Sequence, residues 1–510
     1  MAADHAAGKR ELATLRDVLA DHRARQSARP FLIAPESGHT YTYADLDLQS
    51  RRVAARLAEH GLRPGDTVGM LLHNGWQTAA IFLGTMCTGY VCAPLNLLAQ
   101  RSQLAYVIGH ADCKLIFTAS EYEGALRDAL RELGRTIAIE VIDVDTPALF
   151  ADSRPAGAPP VALDGASPAL LMYTSGTTGV PKGALLSHAN LLAAARSVGQ
   201  WHGLTPDDRV LSSLPLYHVN GQVIATVTPF VSGGSIIAPH RFSVGNWWQL
   251  VKWYQPTWLN MVPTIIAYLL NAAEPGRTHL FPQVRFGRSA SAPLPPDQHR
   301  AFERTFGIGV IEAMGMTESA SVVFCNPQDR AQRKLGTPGL PCGVEARVIA
   351  RDGATLPDDE TGELMLRGPN VMQAYYKSPE QTRAALDSDG WLHTGDLGYR
   401  DADGFYFVTG RIKELIIKGG ENIAPREIDE ALLKHPAVLE AAAVGIPDPN
   451  YGQEILACIV LKPGYTCDEL TLRAHCMVEL GRYKTPRDFR FVIELPKGPS
   501  GKVQRLRLLE

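Results

Sequence analysis

The chain has few cysteines, no excess of charge of either sign and no long apolar run. Its 510 residues hold eight cysteines, at 87, 92, 113, 325, 342, 458, 467 and 476, and no two form a C-x-x-C pair. This argues against a disulfide framework and the usual zinc spacings, and leaves the thiols as small buried hydrophobes in a reducing compartment. The net charge is -3, with 20% charged residues and no basic block. No electrostatic footprint for nucleic acid or an anionic membrane is therefore present. No apolar stretch could span a bilayer, and residues 1–29 lack the apolar core of a secretory signal. A cytoplasmic protein without membrane or nucleic-acid partners is expected. Internal repeats, low-complexity tracts and the G-x-x-x-x-G-K-[ST] nucleotide loop are missing too.

What is present is an ordinary soluble composition, 45% hydrophobic, on a chain long enough for two to four domains. Thr42-x-x-Asp45 is a capping box opening a helix that carries Leu46, Val53 and Leu57 on one face. Strands are predicted at 67–72, 89–95 and 114–118, with a helix at 77–88. Such alternation implies parallel sheets with helices on their faces. Residues 153–168 read as a linker. The α/β pattern resumes at 185 and runs to about 335, and 336–407 reads as a small β-rich unit. Beyond Gly410, a strand at 414–417, a Gly419-Gly420 turn, a helix from Pro425 and later strands form a separate α+β pattern. The fold class is α/β. A large N-terminal domain (1–410) of α/β subdomains plus the β-rich unit precedes a small mobile α+β domain (411–510).

Tyr173-Thr174-Ser175-Gly176-Thr177-Thr178-Gly179-Val180-Pro181-Lys182-Gly183 follows the apolar strand Ala169–Tyr173. Glycines admit backbone N–H groups close to an anion, hydroxyls donate further hydrogen bonds, and the lysine adds a compact cation. This is the composition of a polyphosphate loop, although short Ser/Thr/Gly clusters also make plain turns. Met314-Gly315-Met316-Thr317-Glu318 offers a carboxylate that can hold Mg²⁺ or face solvent. Trp391-Leu392-His393-Thr394-Gly395-Asp396 places an acid in a turn, where it can accept two ribose hydroxyls or cap the turn. Arg411 lies within reach of ribose or phosphate. Lys502 sits in a Gly/Pro loop near the C-terminus.

In order and spacing these segments, from Tyr41-Thr42-Tyr43-Ala44-Asp45-Leu46 to Lys502, resemble the acyl- and aryl-adenylate-forming superfamily. It comprises acyl-CoA synthetases, nonribosomal adenylation domains and beetle luciferases, and the chain is most like a bacterial-type acyl-CoA synthetase. The resemblance implies that a carboxylate attacks the α-phosphate of Mg·ATP, after which the thiol of coenzyme A displaces AMP. It also implies residue roles. Thr174, Ser175, Gly176, Thr177, Thr178, Gly179 and Lys182 cradle the β/γ-phosphates. Thr317 touches the α-phosphate and Glu318 ligates Mg²⁺. Asp396 takes the ribose, with Arg411 nearby. Ser291, Ala292 and Pro293 cover adenine, and Met314 and Gly315 lie beside it, Met314 replacing the usual stacking aromatic. Lys502 bridges carboxylate and α-phosphate. Lys413 is the hinge about which the small domain rotates, bringing Lys418, Gly419 and Gly420 to the pantetheine tunnel. His218, in Leu214–His218, lines the junction of acyl group and CoA. A monomer and a homodimer are both compatible.

His218-Val219-Asn220-Gly221 lacks the carboxylate that pairs with an α-ammonium in amino-acid-activating members, which favours an acyl or aryl acid. The chain ends eight residues after Lys502, which favours a stand-alone ligase using free CoA. The alternative is loading of a carrier protein. Val219, Asn220, Gly221, Gln222, Arg288 and 258–263 are candidate pocket walls. Arg288 admits two readings: an anchor for a second carboxylate on the substrate, or a side chain turned outward or paired with a surface acid. The outward reading is adopted.

Overall fold

A computed structural model describes residues 12–153, 161–174, 181–273, 281–497 and 503–509. Two large sheets dominate it. The first has seven strands, in the order 374–375, 182–187, 168–174, 91–94, 67–71, 113–118 and 138–141. The second has nine, in the order 340–341, 321–325, 310–316, 286–289, 258–261, 209–211, 235–237, 30–34 and 39–42. Both are parallel in the middle, as expected, and antiparallel at one or both ends.

The helix Trp76–Cys87 packs against strands of both sheets and is buried along its whole length. A helix with apolar residues on every side fits there because no face needs to meet water, and its buried Gln77 and Thr78 hydrogen-bond to backbone carbonyls. Each large apolar side chain buried this way contributes about 1.5–3 kcal/mol. The neighbouring helix Tyr43–Glu59 opens with the expected capping box. Thr42 accepts from the Asp45 amide, and Asp45 accepts from the Thr42 amide at 2.8 Å. The same device opens the helices Leu15–Gln26 and His188–Trp201. No helix among the described residues is long and apolar enough to cross a membrane.

The expected β-rich unit is a four-stranded antiparallel sheet of 345–349, 362–367, 392–400 and 406–411. One piece of that stretch leaves it: Ala374–Tyr375 pairs with 182–187 in the seven-stranded sheet. The turn Ile412–Glu414 then leads to a last sheet of 416–418, 421–423, 438–448, 452–461 and 488–491. This sheet has its own core, built from Ile416, Ile428, Leu432, Ile455, Ile459 and Leu472. A large N-terminal domain and a small C-terminal one result.

The strand that Lys182 opens, 182–187, runs antiparallel to 168–174. One expectation is corrected. Asp396 is not in a turn. It lies within strand Leu392–Arg400, where its ladder partner is Arg411.

Candidate active site

The two ends of the candidate phosphate loop are tied together. Thr174 and Lys182 are register partners on adjacent antiparallel strands. Ser175, Gly176, Thr177, Thr178 and Gly179 lie outside the described residues, as does Lys502. The Lys182 ammonium sits 5.0 Å from the centre of the Tyr375 ring. The Tyr375 hydroxyl donates to Glu318 Oε1 at 2.7 Å.

Glu318 is carried on the tight turn Thr317–Ser319 between strands 310–316 and 321–325. The turn is bought with backbone strain: Ala320 and Ser321 hold φ of 49° and 100°, at roughly 1–3 kcal/mol each. It is pinned from outside. The Met372 amide donates to the Glu318 carbonyl at 2.7 Å, and Asn370 donates to the carbonyls of Ser319 and Val322, both at 3.0 Å. Thr317, Met314 and Gly315 are half-buried on the same turn and its leading strand.

Asp396 is 3% exposed. Its Oδ1 accepts from Arg411 Nε at 2.7 Å, while its Oδ2 has no partner among the described residues. A buried carboxylate oxygen left free is an acceptor waiting for donors. Burial alone would lower the pKa of Arg411, but the charges of Asp396, Glu414 and Glu318 raise it, Asp396 by direct contact. Asp396 and Arg411 are thus brought together across adjacent strands.

The candidate adenine loop begins where strand Phe286–Ser289 ends. Ser291 holds φ of 75° and accepts from Asn220 Nδ2 at 3.2 Å. Ser291 and Ala292 are half-buried and Pro293 is exposed. The loop is closed by the Leu294 amide, which donates to Glu312 Oε1 at 3.1 Å. Burial pushes the Glu312 carboxyl up to about 7.

His218 precedes a π-helical segment, Asn220–Val227. Its Nδ1 accepts from the Asn220 amide at 3.3 Å, and burial lowers its pKa to about 4. The ring is neutral at physiological pH. Gly221 is required by close approach, since a Cβ there would lie 2.3 Å from the Pro215 carbonyl oxygen.

Arg288 does not turn outward. It is fully buried. Asn260 is its register partner on the next strand, and Nη1 reaches Asn220 Oδ1 at 3.4 Å and Asn260 Oδ1 at 3.5 Å. Asn260 Nδ2 also donates to Asn220 Oδ1 at 3.1 Å. Among the described residues Arg288 Nε has no partner and no carboxylate pairs with the guanidinium. Burial lowers its pKa. The outward reading failed because a strand between two others offers an arginine only the core.

In the small domain, Lys413 is exposed in the turn that follows Arg411. Gly419 and Gly420, with φ of 56° and 86°, form a two-residue hairpin turn of the kind that needs positive φ twice. Lys418 is buried, its ammonium 2.8 Å from Glu454 and 2.9 Å from the Tyr483 carbonyl. Arg505 reaches back to Glu414 at 3.2 Å and also binds Asp429. Tyr375, Glu312, Glu454 and Arg505 carried no sequence signal, because each acts through a partner far away in the chain.

These positions can be set beside known proteins. The AMP-binding enzyme family is matched over residues 19–376, and the AMP-binding enzyme C-terminal domain over 427–502. A sulfoacetate–CoA ligase of Cupriavidus necator is 55% identical over 500 residues, covering 97% of both chains. An oxalate–CoA ligase of Arabidopsis thaliana is 34% identical, covering 91% of this chain and 92% of that one. The crystal structure of ATP-bound MatB from Rhodopseudomonas palustris superposes with a TM-score of 0.86 at 31% identity, covering 97% of this chain and 98% of that one. The chain therefore belongs to the AMP-binding enzyme family, as an AMP-forming ligase that uses ATP to join a carboxylic acid to coenzyme A.

Proposed function

We propose that the acid is short and carries a second anionic group, a sulfonate or a carboxylate, with sulfoacetate as the first candidate. The observation that carries this reading is Arg288. A buried charge without a counter-charge is costly, and among the described residues the guanidinium hydrogen-bonds to the Asn220 and Asn260 amides and to no carboxylate. A substrate anion supplies the missing charge. A sulfonate suits the site because it stays ionised and presents three acceptor oxygens to surrounding N–H groups. The similarity to a sulfoacetate–CoA ligase and an oxalate–CoA ligase supports the same class.

With the distal anion on Arg288, the near carboxylate attacks the α-phosphorus, a new P–O bond forms and pyrophosphate leaves. The CoA thiolate then attacks the acyl carbon, and the bond to AMP breaks. Thr174, Lys182 and the loop between them hold the leaving phosphates, Thr317 contacts the α-phosphate, and Asp396 receives the ribose hydroxyls on its free oxygen. Glu318 fits Mg²⁺: Tyr375 occupies one carboxylate oxygen and leaves the other, and Mg²⁺ next to phosphates needs only one or two protein carboxylates. When bound, the ion neutralises phosphate charge. Ser291, Ala292, Pro293, Met314 and Gly315 enclose adenine, and His218 lines the acyl site as a neutral ring. The 411–510 domain rotates at Lys413, exchanging Lys502 for the turn at Gly419 and Gly420. Lys418 supports that turn from below.

CoA-dependent AMP release with sulfoacetate, malonate, oxalate, acetate and propionate tests the reading. A two-anion acid should exceed acetate in kcat/KM by about a hundredfold or more, and Arg288→Met should remove most of that preference, as expected for truncating a buried charge partner. A preference for acetate or propionate in the unaltered enzyme overturns it.

A further inference from the structure

Lys182 and Glu318 carry opposite charges at one site, yet among the described residues no ion pair joins them; Tyr375 stands between. Its ring face takes the Lys182 ammonium at 5.0 Å, and its hydroxyl takes Glu318 Oε1 at 2.7 Å. We propose that Tyr375 is a positioning residue that holds the phosphate lysine and the cation-binding carboxylate apart, so that neither neutralises the other before Mg·ATP arrives. The proposal rests on the reading of Lys182 and Glu318 given above.

The backbone makes Tyr375 a firm post. It pairs with Ala184, on the strand that Lys182 opens. Its amide donates to Thr382 Oγ1 at 3.0 Å, at the first turns of the helix Pro379–Ala385. The Met372 amide, three residues earlier, holds the Glu318 carbonyl. The lysine and the glutamate are therefore referenced to one short strand. Because one carboxylate oxygen accepts from tyrosine, the other is the one turned to the cation. Without the ring, a direct ion pair between lysine and glutamate would compete with nucleotide and metal for both groups.

Titration calorimetry of ATP, with Mg²⁺ or with EDTA, separates the two halves of this role. Tyr375→Phe keeps the ring and loses the tether. It should lose about tenfold in affinity for Mg·ATP, as for one hydrogen bond to a charged group, with metal-free ATP affinity unchanged. Tyr375→Leu loses both and should weaken ATP binding in either condition. Tyr375→Phe binding Mg·ATP like the unaltered protein, or losing equally with and without Mg²⁺, overturns the proposal. Ligand-free melting curves establish that the phenylalanine variant is folded, and it decides alone if the leucine variant is not. Glu318→Gln distinguishes the failures. If it too leaves the effect of Mg²⁺ unchanged, the reading of Glu318 falls and Tyr375 with it; if it abolishes that effect while Tyr375→Phe does not, only the tyrosine role falls.

Discussion

Asp396 and Arg411 face each other across adjacent antiparallel strands, and their ion pair uses only one of the two aspartate oxygens. The arginine thereby fixes the carboxylate's orientation and leaves a buried acceptor aimed elsewhere. If that acceptor receives the ribose diol, the enzyme should prefer ATP to 2′-deoxy-ATP by roughly tenfold or more, the worth of a hydrogen bond to a charged group. Asp396→Asn, which keeps the shape, should shrink that ratio severalfold. Steady-state kcat/KM for the two nucleotides measures it, and an unchanged ratio removes Asp396 from ribose binding.

Glu312 makes stability depend on pH. Burial raises its folded pKa to about 7 from an ordinary 4.5. Below the ordinary value both folded and unfolded forms are protonated and the contribution is full; it is lost as pH rises through about 7. Glu312→Gln keeps an acceptor for the Leu294 amide without an ionisable group. It should match the native protein near pH 5 and exceed it near pH 8 by up to about 3 kcal/mol. Denaturant midpoints at the two pH values check this, and equal midpoints at the higher pH contradict it.

The half-reactions should separate. Lys502→Ala is expected to lower ATP–pyrophosphate exchange by orders of magnitude while still converting supplied acyl-AMP to thioester. Lys413→Pro locks φ in the turn between the domains and should do the reverse, sparing exchange and slowing thioester formation. Equal loss of both half-reactions in either variant would discard the role assigned to that lysine.

Lys418 and Glu454 form a buried pair, so removing one partner strands the other. Glu454→Gln should destabilise the small domain by about 3–5 kcal/mol while leaving the large domain's core intact. Hydrogen exchange resolved along the chain reads this directly: protection should fall within 416–461 and hold within the two large sheets. A uniform response would mean the pair does not act locally.

Helix positions were legible wherever a local pattern decides them, as with the capping box of Thr42 and Asp45. The candidate nucleotide residues were legible as an ordered set of motifs. What escaped depends on pairing between distant segments. The sheet turns antiparallel beside the candidate phosphate loop because 182–187 folds back on 168–174, and nothing within either strand specifies that. Asp396 looked like a turn residue because Thr394, Gly395 and Asp396 favour turns locally; the ladder with 406–411 overrides them. Tyr375 reads as one aromatic among many until it meets Glu318, 57 residues away. Arg288 could not be oriented without knowing that its strand lies between two others.

That last placement bears on how the enzyme's range of acids can change over evolution. The charge we propose to discriminate between acids, Arg288, is rooted in a strand of the scaffold, not in a loop that can drift freely. Asn220 and Asn260 nevertheless hydrogen-bond to each other, so the two amides share one contact that does not involve the guanidinium. Exchange of Arg288 for an uncharged side chain of similar length would open a route from two-anion acids to simple ones through a single codon position, with the nucleotide machinery untouched.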